Sequence, residues 1–320
     1  MKLHETAREG IETIREDRRY GARELSLLAL DVLVDVVETS TTVEPTRLLG
    51  ELRRATTDLE SVRPSMAPIA NAVRRVQADL PGILEASGGL LELKKDVLQR
   101  IDEEKMSIKE STEKIVDYAV PLLSGKRVMT HSYSSTVLEV LLKAEGSVPS
   151  VTVTESRPLF EGKRLAKRLS AAGIPVTLIT DASAGHFISE VDIVLVGADS
   201  ILPDGSVVNK IGTLLLALAA RERGIPFHVV SDTYKWAERV ELEEKGPEEV
   251  SAKPLSGVQV RNVYFDRTPA HLVSSIVTEL GVFTPARFSS AMKERPARTL
   301  TRNKRLPNGG SRKPTLLGVG

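Results

Sequence analysis

The fold is decided by residues 126–144, KRVMTHSYSSTVLEVLLKA, where a short apolar run is followed by hydroxyl side chains and then by a helical pattern. A strand that passes through a polar turn into a helix is the first half of a βαβ unit. Strand-like runs rich in β-branched residues recur at 150–156, 175–180, 192–199, 226–232 and 259–266. Helical patterns separate most of these runs, at 135–144, 161–173, 210–224 and 269–280. This alternation predicts a parallel, doubly wound sheet.

The first 122 residues show a different pattern. Apolar residues recur at spacings of three and four over 25–37 and 90–123, which indicates amphipathic helices. Breaks rich in Gly, Pro, Ser and Thr fall at 39–46, 61–68 and 87–89. We therefore predict an α/β protein, with an N-terminal helical domain over 1–122 and a C-terminal Rossmann-like domain over 123–290.

Basic residues are concentrated at the end of the chain. Residues 291–320 carry eight Lys or Arg and one acid, a net charge of +7, whereas the rest of the chain carries −6. This segment contains Pro and Gly and has no periodic apolar pattern, so we predict a disordered tail. Its charge suits RNA or another acidic surface, and the alternative is a solvated extension without a fixed partner.

The composition excludes several classes of protein. The chain has no cysteine, which excludes disulfides, thiolate zinc sites and a cysteine nucleophile. The five histidines have no metal-ligand spacing, and we predict neither a metal nor another cofactor. No apolar run approaches the roughly 20 residues that cross a bilayer, and residues 1–10 lack the apolar core of a secretory signal. We therefore expect a cytoplasmic protein that does not bind a membrane.

Polar or small residues follow the predicted strands, at the point where each strand ends. They lie at positions 130–132, 154–157, 181, 197–199, 231–233 and 266. Because the carboxyl ends of parallel strands meet at one edge of a sheet, we expect these residues to converge on one crevice.

The turn after the first predicted strand has the composition of an anion site. Ser132, Ser134 and Ser135 lead into a helical pattern, and free N–H groups at a helix N-terminus suit a phosphate. The alternative is that Ser134 or Ser135 is only the N-cap residue, which accounts for one serine but not for three.

Two other kinds of site have no support in the sequence. Neither a phosphate-loop motif nor a G-x-G-x-x-G motif occurs, which argues against a nucleoside triphosphate or dinucleotide site. A nucleophilic Ser132 is not expected either, because His131 is adjacent in sequence and no G-x-S-x-G motif is present.

A second cluster of polar residues lies at 197–213. Asp199 ends a predicted strand, where it can accept hydrogen bonds from hydroxyls or exchange a proton. Asn209 and Lys210 are predicted to open the next helix, which would place an amide and an ammonium beside a sugar phosphate. The alternative is that Asn209 caps this helix and Lys210 is solvated. Arg63, in the helical domain, is a further phosphate candidate, with a solvated arginine as its alternative.

Seven segments of the chain carry a resemblance to a known family. They are YGARELSLLAL, RPSMAPIANAV, VMTHSYSSTVLEVL, VTVTESRPLFEGKRLAKRL, GIPVTLITDASAG, VGADSILPDGSVVNKIGT and YFDRTPAHLVSSIVTELG, in order from about residue 19 to residue 284. In these segments the chain resembles the alpha, beta and delta subunits of eukaryotic translation initiation factor 2B and their archaeal relatives. The same family contains ribose-1,5-bisphosphate isomerase and methylthioribose-1-phosphate isomerase. The basic tail lies outside the resemblance.

The resemblance implies a helical N-terminal domain, a Rossmann-like C-terminal domain and a homodimer or higher homo-oligomer. It also implies a pocket between the domains that binds a phosphorylated sugar or nucleotide. A contact with initiation factor 2 is a further expectation. Carried over motif by motif, the phosphate and sugar contacts are Gly21, Ala22, Arg63, Ser132, Ser134, Ser135, Asn209 and Lys210.

One departure from the family pattern bears on catalysis. The isomerases use a cysteine in a Thr-His-Cys motif and an aspartate in a Gly-Ala-Asp motif, and the pair moves a proton or hydride between C1 and C2 of the opened sugar. Asp199 matches the aspartate, but Ser132 stands at the cysteine position. A serine hydroxyl is a far weaker acid than a thiol, whose ordinary pKa is about 8.5.

Two interpretations follow from this departure. We interpret the chain as a regulatory member of the family that binds a phosphorylated sugar or nucleotide. The alternative is an aldose–ketose isomerase that acts on ribose 1,5-bisphosphate or a related sugar 1-phosphate. In that case Asp199 is the catalytic residue and Ser132 replaces the cysteine.

Overall fold

The computed structural model describes residues 3–17, 20–64, 66–242, 244–253 and 256–294. The segment predicted to be a disordered tail lies outside these ranges from residue 295 onward. Within them, none of the helices combines the length and the apolar character that a membrane span requires.

The N-terminal third of the described chain is helical, as its apolar periodicity predicts. Its helices are α1 Glu5–Glu16, α2 Ala22–Thr39, α3 Pro45–Glu60, α4 Ala67–Ala86 and α5 Leu90–Leu123. The predicted breaks at 39–46, 61–68 and 87–89 coincide with the gaps between them. The first half of α5 packs among the other helices, whereas its second half packs against the sheet that follows.

The rest of the described chain forms a seven-stranded sheet, a small second sheet and five further helices. The strands are β1 Val128–Thr130, β2 Val151–Thr154, β3 Val176–Ile179, β4 Ile193–Val196, β5 Ser200–Ile201, β6 Val207–Lys210, β7 Phe227–Val230, β8 Phe265–Thr268, β9 Ser275–Thr278 and β10 Gly281–Phe283. The helices are α6 Ser135–Lys143, α7 Glu161–Ala171, α8 Ala184–Phe187, α9 Thr213–Glu222 and α10 Pro285–Lys293. Short 3₁₀ turns lie at Asp181–Ser183, Ile188–Glu190, Thr233–Lys235, Pro247–Glu249 and Ala270–Leu272.

The large sheet confirms the predicted doubly wound fold. Its order is β10-β9-β7-β4-β1-β2-β3, and only the edge pair β9–β10 is antiparallel. The chain winds outward from β1 through β2 and β3, and then outward on the other side through β4, β7 and β9. The winding direction therefore changes between β1 and β4, and ligands bind outside the carboxyl ends of strands at such a switch point.

The small antiparallel sheet β5-β6-β8 joins the two parts of the molecule. A turn at 203–205 connects β5 to β6. Val208 from β6 and Phe265 from β8 belong to the same hydrophobic core as α2, α4 and the first half of α5. The small sheet thus holds the helical layer over the carboxyl edge of the large sheet.

Three predictions about local structure are wrong. The segment 259–266 was predicted as a strand, but β8 begins only at Phe265. The segment 269–280 was predicted as a helix, but it forms a 3₁₀ turn and the buried strand β9. Its Ser-Ile-Val-Thr core is short, β-branched and buried on both faces, which suits a strand between β7 and β10. The helix predicted to open at Asn209 and Lys210 begins at Thr213, because both residues pair with β8 instead.

Candidate functional site

The candidate site is a cleft between the helical layer and the carboxyl ends of β1 and β4. It consists of two adjoining cavities that share Gly21, Ser132, Tyr133 and Asp199. The first, which we call the arginine cavity, is also lined by Arg15, Arg63, Leu159, Glu161, Arg164, Lys210, Lys245 and Tyr264. The second, which we call the serine cavity, is also lined by Ala22, His131, Ser134, Ser135, Gly197, Ala198, Asn209 and Lys235. The cleft therefore brings together all nine residues that the sequence singles out.

Ser132 reaches the cleft through an unusual backbone conformation. Its φ angle is 68°, in the left-handed region that residues with a side chain rarely adopt. Its backbone N–H donates to Ser156 Oγ at 2.7 Å, and Ser156 itself has a φ angle of 61°. Backbone strain of this kind is commonly found at functional sites. The turn thus fixes Ser132 at the junction of the two cavities.

His131 is occupied by other contacts and is not a base for Ser132. Its ring is buried, with Nε2 2.8 Å from the Ile211 carbonyl oxygen and Nδ1 2.6 Å from Thr154 Oγ1. A carbonyl oxygen only accepts, so Nε2 carries the proton and the Thr154 hydroxyl donates to Nδ1. Burial lowers the pKa of His131, which keeps the ring neutral. His131 therefore supports the floor of the cleft.

The serines at the start of α6 divide between two roles. Ser134 is the N-cap residue, because its Oγ accepts the backbone N–H of Val137 at 3.3 Å. The capping alternative therefore applies to Ser134. Ser135 is the first residue of the helix, and neither it nor Ser132 caps it. Both side chains line the serine cavity, together with the N-terminal end of α6.

A second helix N-terminus faces the same cavity. Gly21 is the N-cap residue of α2 and Ala22 is its first residue, and both line the serine cavity. Two helices from different parts of the chain thus direct free backbone N–H groups and positive dipole ends toward one small space. An anion is the ligand best suited to that space.

Asp199 lies in the short connection between β4 and β5, directly before Ser200. Its backbone N–H donates to the Val208 carbonyl oxygen at 2.8 Å, which ties the end of β4 to the small sheet. Its side chain is half-buried and lines both cavities. A partly desolvated carboxylate at this position can exchange a proton with a ligand.

Lys210 is buried rather than solvated. Its Nζ lies 2.6 Å from Glu161 Oε1 and 3.8 Å from the centre of the Tyr264 ring. The other carboxylate oxygen, Glu161 Oε2, is buried and has no hydrogen-bond partner among the described residues. Asn209 does not cap α9, because Gly212 occupies that position, and its Nδ2 donates to Thr213 Oγ1 at 3.0 Å.

The arginine cavity carries more positive than negative charge. Arg63 is buried, and its Nη1 donates to the Asp17 carbonyl oxygen at 3.0 Å. Arg15, Arg63, Arg164, Lys210 and Lys245 line this cavity together with the acids Glu16, Asp17, Glu161 and Asp199. Arginine side chains, which suit bidentate contacts with a phosphate, are thus concentrated at this end of the cleft.

The sequence analysis missed several lining cations, among them Lys235 and Arg164. Lys235 is buried, and its Nζ donates to the Ala198 carbonyl oxygen. The sequence feature that could have identified Lys235 is its position, two residues beyond the polar end of β7. Arg164 lies one turn after Glu161 on α7, with its guanidinium 3.7 Å from the centre of the Tyr133 ring. Its signal was weaker, because helical Lys and Arg are common on solvated faces.

Within the described ranges, no group of His, Asp and Glu side chains has the arrangement of a metal site.

Known proteins resemble this chain over most of its length. The family model described as Initiation factor 2 subunit family matches residues 18–285. A ribose 1,5-bisphosphate isomerase from Archaeoglobus fulgidus is 36% identical over 299 residues, which cover 90% of this chain and 92% of that relative.

Two solved structures share the fold. The translation initiation factor eIF-2B of Pyrococcus horikoshii OT3 superposes with a TM-score of 0.78 at 33% identity, covering 89% of this chain and 99% of that chain. The 5-methylthioribose 1-phosphate isomerase of the same organism superposes with a TM-score of 0.76 at 28% identity. The match covers 90% of this chain and 87% of that chain. The same architecture therefore occurs in proteins named for translation initiation and for sugar-phosphate isomerisation.

Proposed function

The chain belongs to the initiation factor 2 subunit family, and we propose that it is an aldose–ketose isomerase acting on ribose 1,5-bisphosphate or a related sugar 1-phosphate. The observation that carries the proposal is the shared position of Asp199 and Ser132 at the junction of the two cavities. The relative named ribose 1,5-bisphosphate isomerase supports it. This function is the alternative of the two interpretations that the sequence left open.

Asp199 is the group that exchanges the proton. Conversion of an aldose 1-phosphate into a 2-ketose opens the sugar ring and moves a hydrogen from C2 to C1. A carboxylate that accepts and returns a proton serves this transfer, and such acid–base catalysis contributes about 10²–10⁴-fold to the rate. The half-buried position of Asp199 beside the end of β4 keeps bulk water away from part of the carboxylate.

Ser132 has a different role from the cysteine that it replaces. Its hydroxyl is too weak an acid to deliver a proton in the manner of a thiol. It remains a hydrogen-bond donor, and a donor at this position stabilises negative charge that develops on a sugar oxygen during isomerisation. We therefore expect slower turnover than a cysteine at this position would support.

The N-termini of α2 and α6 bind one phosphate, with Ser134, Ser135 and Asn209 beside them. The guanidinium and ammonium groups of the arginine cavity bind a second phosphate. A methylthio group would gain nothing from these cations. The charge of the cleft therefore favours ribose 1,5-bisphosphate over methylthioribose 1-phosphate.

The test is an assay of the purified protein with ribose 1,5-bisphosphate that follows the formation of ribulose 1,5-bisphosphate. Asp199→Asn and Ser132→Cys are assayed beside the wild type, with methylthioribose 1-phosphate as the comparison substrate. Wild-type turnover that falls at least about 100-fold in Asp199→Asn and rises in Ser132→Cys supports the proposal. Wild-type turnover that survives in Asp199→Asn contradicts it.

A regulatory function is the second candidate, and Ser132 at the cysteine position is the observation that favours it. In this case the cleft binds a phosphorylated sugar or nucleotide without turnover, and binding alters a contact with initiation factor 2. An inactive wild type that binds ribose 1,5-bisphosphate or a nucleoside monophosphate in calorimetry supports this function. Gain of turnover in Ser132→Cys would then identify an isomerase pocket kept for binding. With either function we propose a homodimer or higher homo-oligomer, which light scattering tests.

A further inference from the structure

The 3₁₀ turn Thr233–Lys235 after β7 connects three parts of the molecule. All three side chains are buried, and each faces a different neighbour. The backbone N–H of Thr233 donates to Glu279 Oε2 at 3.1 Å, in the loop between β9 and β10. Tyr234 faces α4 and α5, and Lys235 faces the serine cavity. The turn therefore links the helical layer to the cleft over a distance of one residue.

Tyr234 is held by the helical layer through its side chain and its backbone. Its hydroxyl donates to Glu104 Oε1 at 2.6 Å, and its ring lies against the Arg75 guanidinium, whose Cζ is 3.5 Å from the ring centre. The Asn71 side-chain amide donates to the carbonyl oxygens of Tyr234 and Trp236, at 2.5 and 2.8 Å. The middle of the turn and the residue that follows it are thereby fixed to α4 and α5.

The contacts of Tyr234 are part of a buried ionic network. Glu104 Oε2 is 2.7 Å from Arg100 Nη2, and Arg100 Nε is 2.7 Å from Asp79 Oδ2. Burial raises the pKa of Tyr234, so its hydroxyl stays protonated and donates to the carboxylate. A buried ionic network of this kind adds little stability over an apolar core of the same volume. Its hydrogen bonds instead fix the orientation of the groups that it contacts.

Lys235 is the residue whose position this network sets. Its side chain is buried, and its ammonium donates to the Ala198 carbonyl oxygen, one residue before Asp199. A flexible four-carbon side chain reaches a defined point in the serine cavity only if its backbone is fixed.

We propose that Tyr234 is a positioning residue, which couples the buried network of α4 and α5 to Lys235 and so holds the ammonium at its place in the serine cavity. The inference rests on the proposed function, because it assigns to Lys235 the binding of the same anionic ligand. Tyr234 itself lines neither cavity.

The first test is a double-mutant cycle between Tyr234→Phe and Lys235→Met, measured as kcat and KM for ribose 1,5-bisphosphate. Tyr234→Phe keeps the ring on Arg75 and removes only the hydroxyl. We expect kcat/KM to fall about tenfold, which corresponds to the loss of one charge-assisted hydrogen bond. In the Lys235→Met background the same change should have no further effect. Independent, additive effects of the two substitutions would overturn the proposal.

The second test requires neither turnover nor a ligand, so it separates this inference from the proposed function. An amine-reactive reagent is added to the free protein, and the modification of Lys235 is followed by peptide mass spectrometry. We expect Lys235 to react several-fold faster in Tyr234→Phe than in the wild type, because its ammonium is no longer held. Equal protection of Lys235 in the two proteins would overturn the proposal even if the protein proves to be inactive.

Matched controls come from the same helices. Tyr118→Phe removes a hydroxyl from a half-exposed tyrosine on α5 and should leave both measurements unchanged. Arg75→Met and Arg74→Met change neighbouring arginines of α4, of which Arg75 contacts Tyr234 and Arg74 pairs with Glu60 at the surface. Only Arg75→Met should expose Lys235. Equal effects of the two arginine substitutions would show a general loosening of α4 and would also overturn the proposal.

Discussion

Gly197 lies so close to Ser134 that a Cβ atom on Gly197 would be 2.7 Å from Ser134 Oγ and 2.8 Å from Ser134 Cβ. Real Cβ atoms do not approach other atoms this closely, so only glycine fits where the end of β4 meets the N-cap of α6. The contact sets the width of the serine cavity, since Asp199 follows Gly197 by two residues and Ser135 follows Ser134 directly.

Gly197→Ala should therefore damage both the fold and the cleft. We expect the free energy of unfolding to fall by about 1–3 kcal/mol, because the added methyl group has to displace the N-cap. Phosphate affinity should fall as well. Gly82→Ala is the matched control, since nothing lies within 4 Å of a Cβ atom there, and it should leave the free energy of unfolding unchanged or raise it by up to about 1 kcal/mol. Equal stability of the two variants in urea unfolding would contradict this account.

The sequence predicts the large sheet well because its central strands are apolar runs separated by amphipathic helices. It fails where strands are short and pair with distant residues. Segment 269–280 has apolar residues at spacings that fit a helix as well as a strand, and only its pairing with β7 and β10 decides the outcome. Strand β5, of two residues, is too short to give a periodic signal, and β6 ends in Asn209 and Lys210, whose polar side chains were interpreted as the start of a helix.

The residues of the candidate site also divide into those that the sequence predicts and those that it does not. Residues at strand ends and helix starts, such as Ser132, Ser135 and Asp199, are predictable because the topology of a parallel sheet brings them together. Lys235 follows the polar end of β7 by two residues, but its direction depends on the contacts of Tyr234 with α4 and α5, which the sequence does not show. Arg164 has the sequence environment of a solvated helix face. Its place in the cleft depends on the loop 155–160 that precedes α7.

Because Lys210 forms an ion pair with Glu161, its role in stability can be separated from its role in ligand binding. Lys210→Met leaves a carboxylate without its partner in a mostly buried position, and we expect a loss of about 3 kcal/mol in the free energy of unfolding. The double variant Lys210→Met/Glu161→Gln should regain at least about half of that loss, because no unpaired charge remains. Neither variant should bind ribose 1,5-bisphosphate, because both lack the ammonium.

Urea unfolding and calorimetry measure the two effects separately. Glu161→Gln alone is the control that keeps the ammonium and removes its partner. Ligand binding that returns in the double variant together with stability would mean that Lys210 serves only the fold.

Asp266 should make the protein less stable as the pH rises from 4 to 7. Its carboxylate accepts the backbone N–H groups of Gly212 and Leu214, yet burial raises its pKa to about 6 from 3.8. Between these two values the native state holds a proton that the unfolded chain has released, so stability falls as the pH rises through the interval. The whole contribution is at most about 3 kcal/mol.

The measurement is the difference in the free energy of unfolding between wild type and Asp266→Asn at pH 4 and pH 7. We expect the wild type to lose stability relative to the variant over this interval. Asp192→Asn is the control with the opposite shift, because a hydrogen bond from Arg127 lowers the pKa of Asp192 to about 2. Its difference from the wild type should change little between pH 4 and pH 7, because most of the stability that this carboxylate contributes is lost below pH 4. A constant difference for Asp266→Asn would contradict the prediction.

The contribution of His131 to the free energy of unfolding should have the opposite pH dependence to that of Asp266. Burial lowers the pKa of His131 below the ordinary value near 6.5, so the unfolded chain binds a proton at a pH where the native state does not. The stabilisation from neutral His131 is therefore complete above about pH 6.5 and is lost as the pH falls, with a limiting slope of about 1.4 kcal/mol per pH unit. Ligand affinity of the folded protein should not change over this interval, because native His131 stays neutral until the pH reaches its lowered pKa.

His131→Gln removes this dependence, since its amide can donate to the Ile211 carbonyl oxygen and does not titrate. Unfolding in urea at pH 5 and pH 7 should show that the wild type loses stability relative to His131→Gln on acidification. His186→Gln changes an exposed histidine of α8 and should show no such difference. If His131→Gln and His186→Gln respond to pH alike, the acid sensitivity arises elsewhere, and the prediction for the buried ring is wrong.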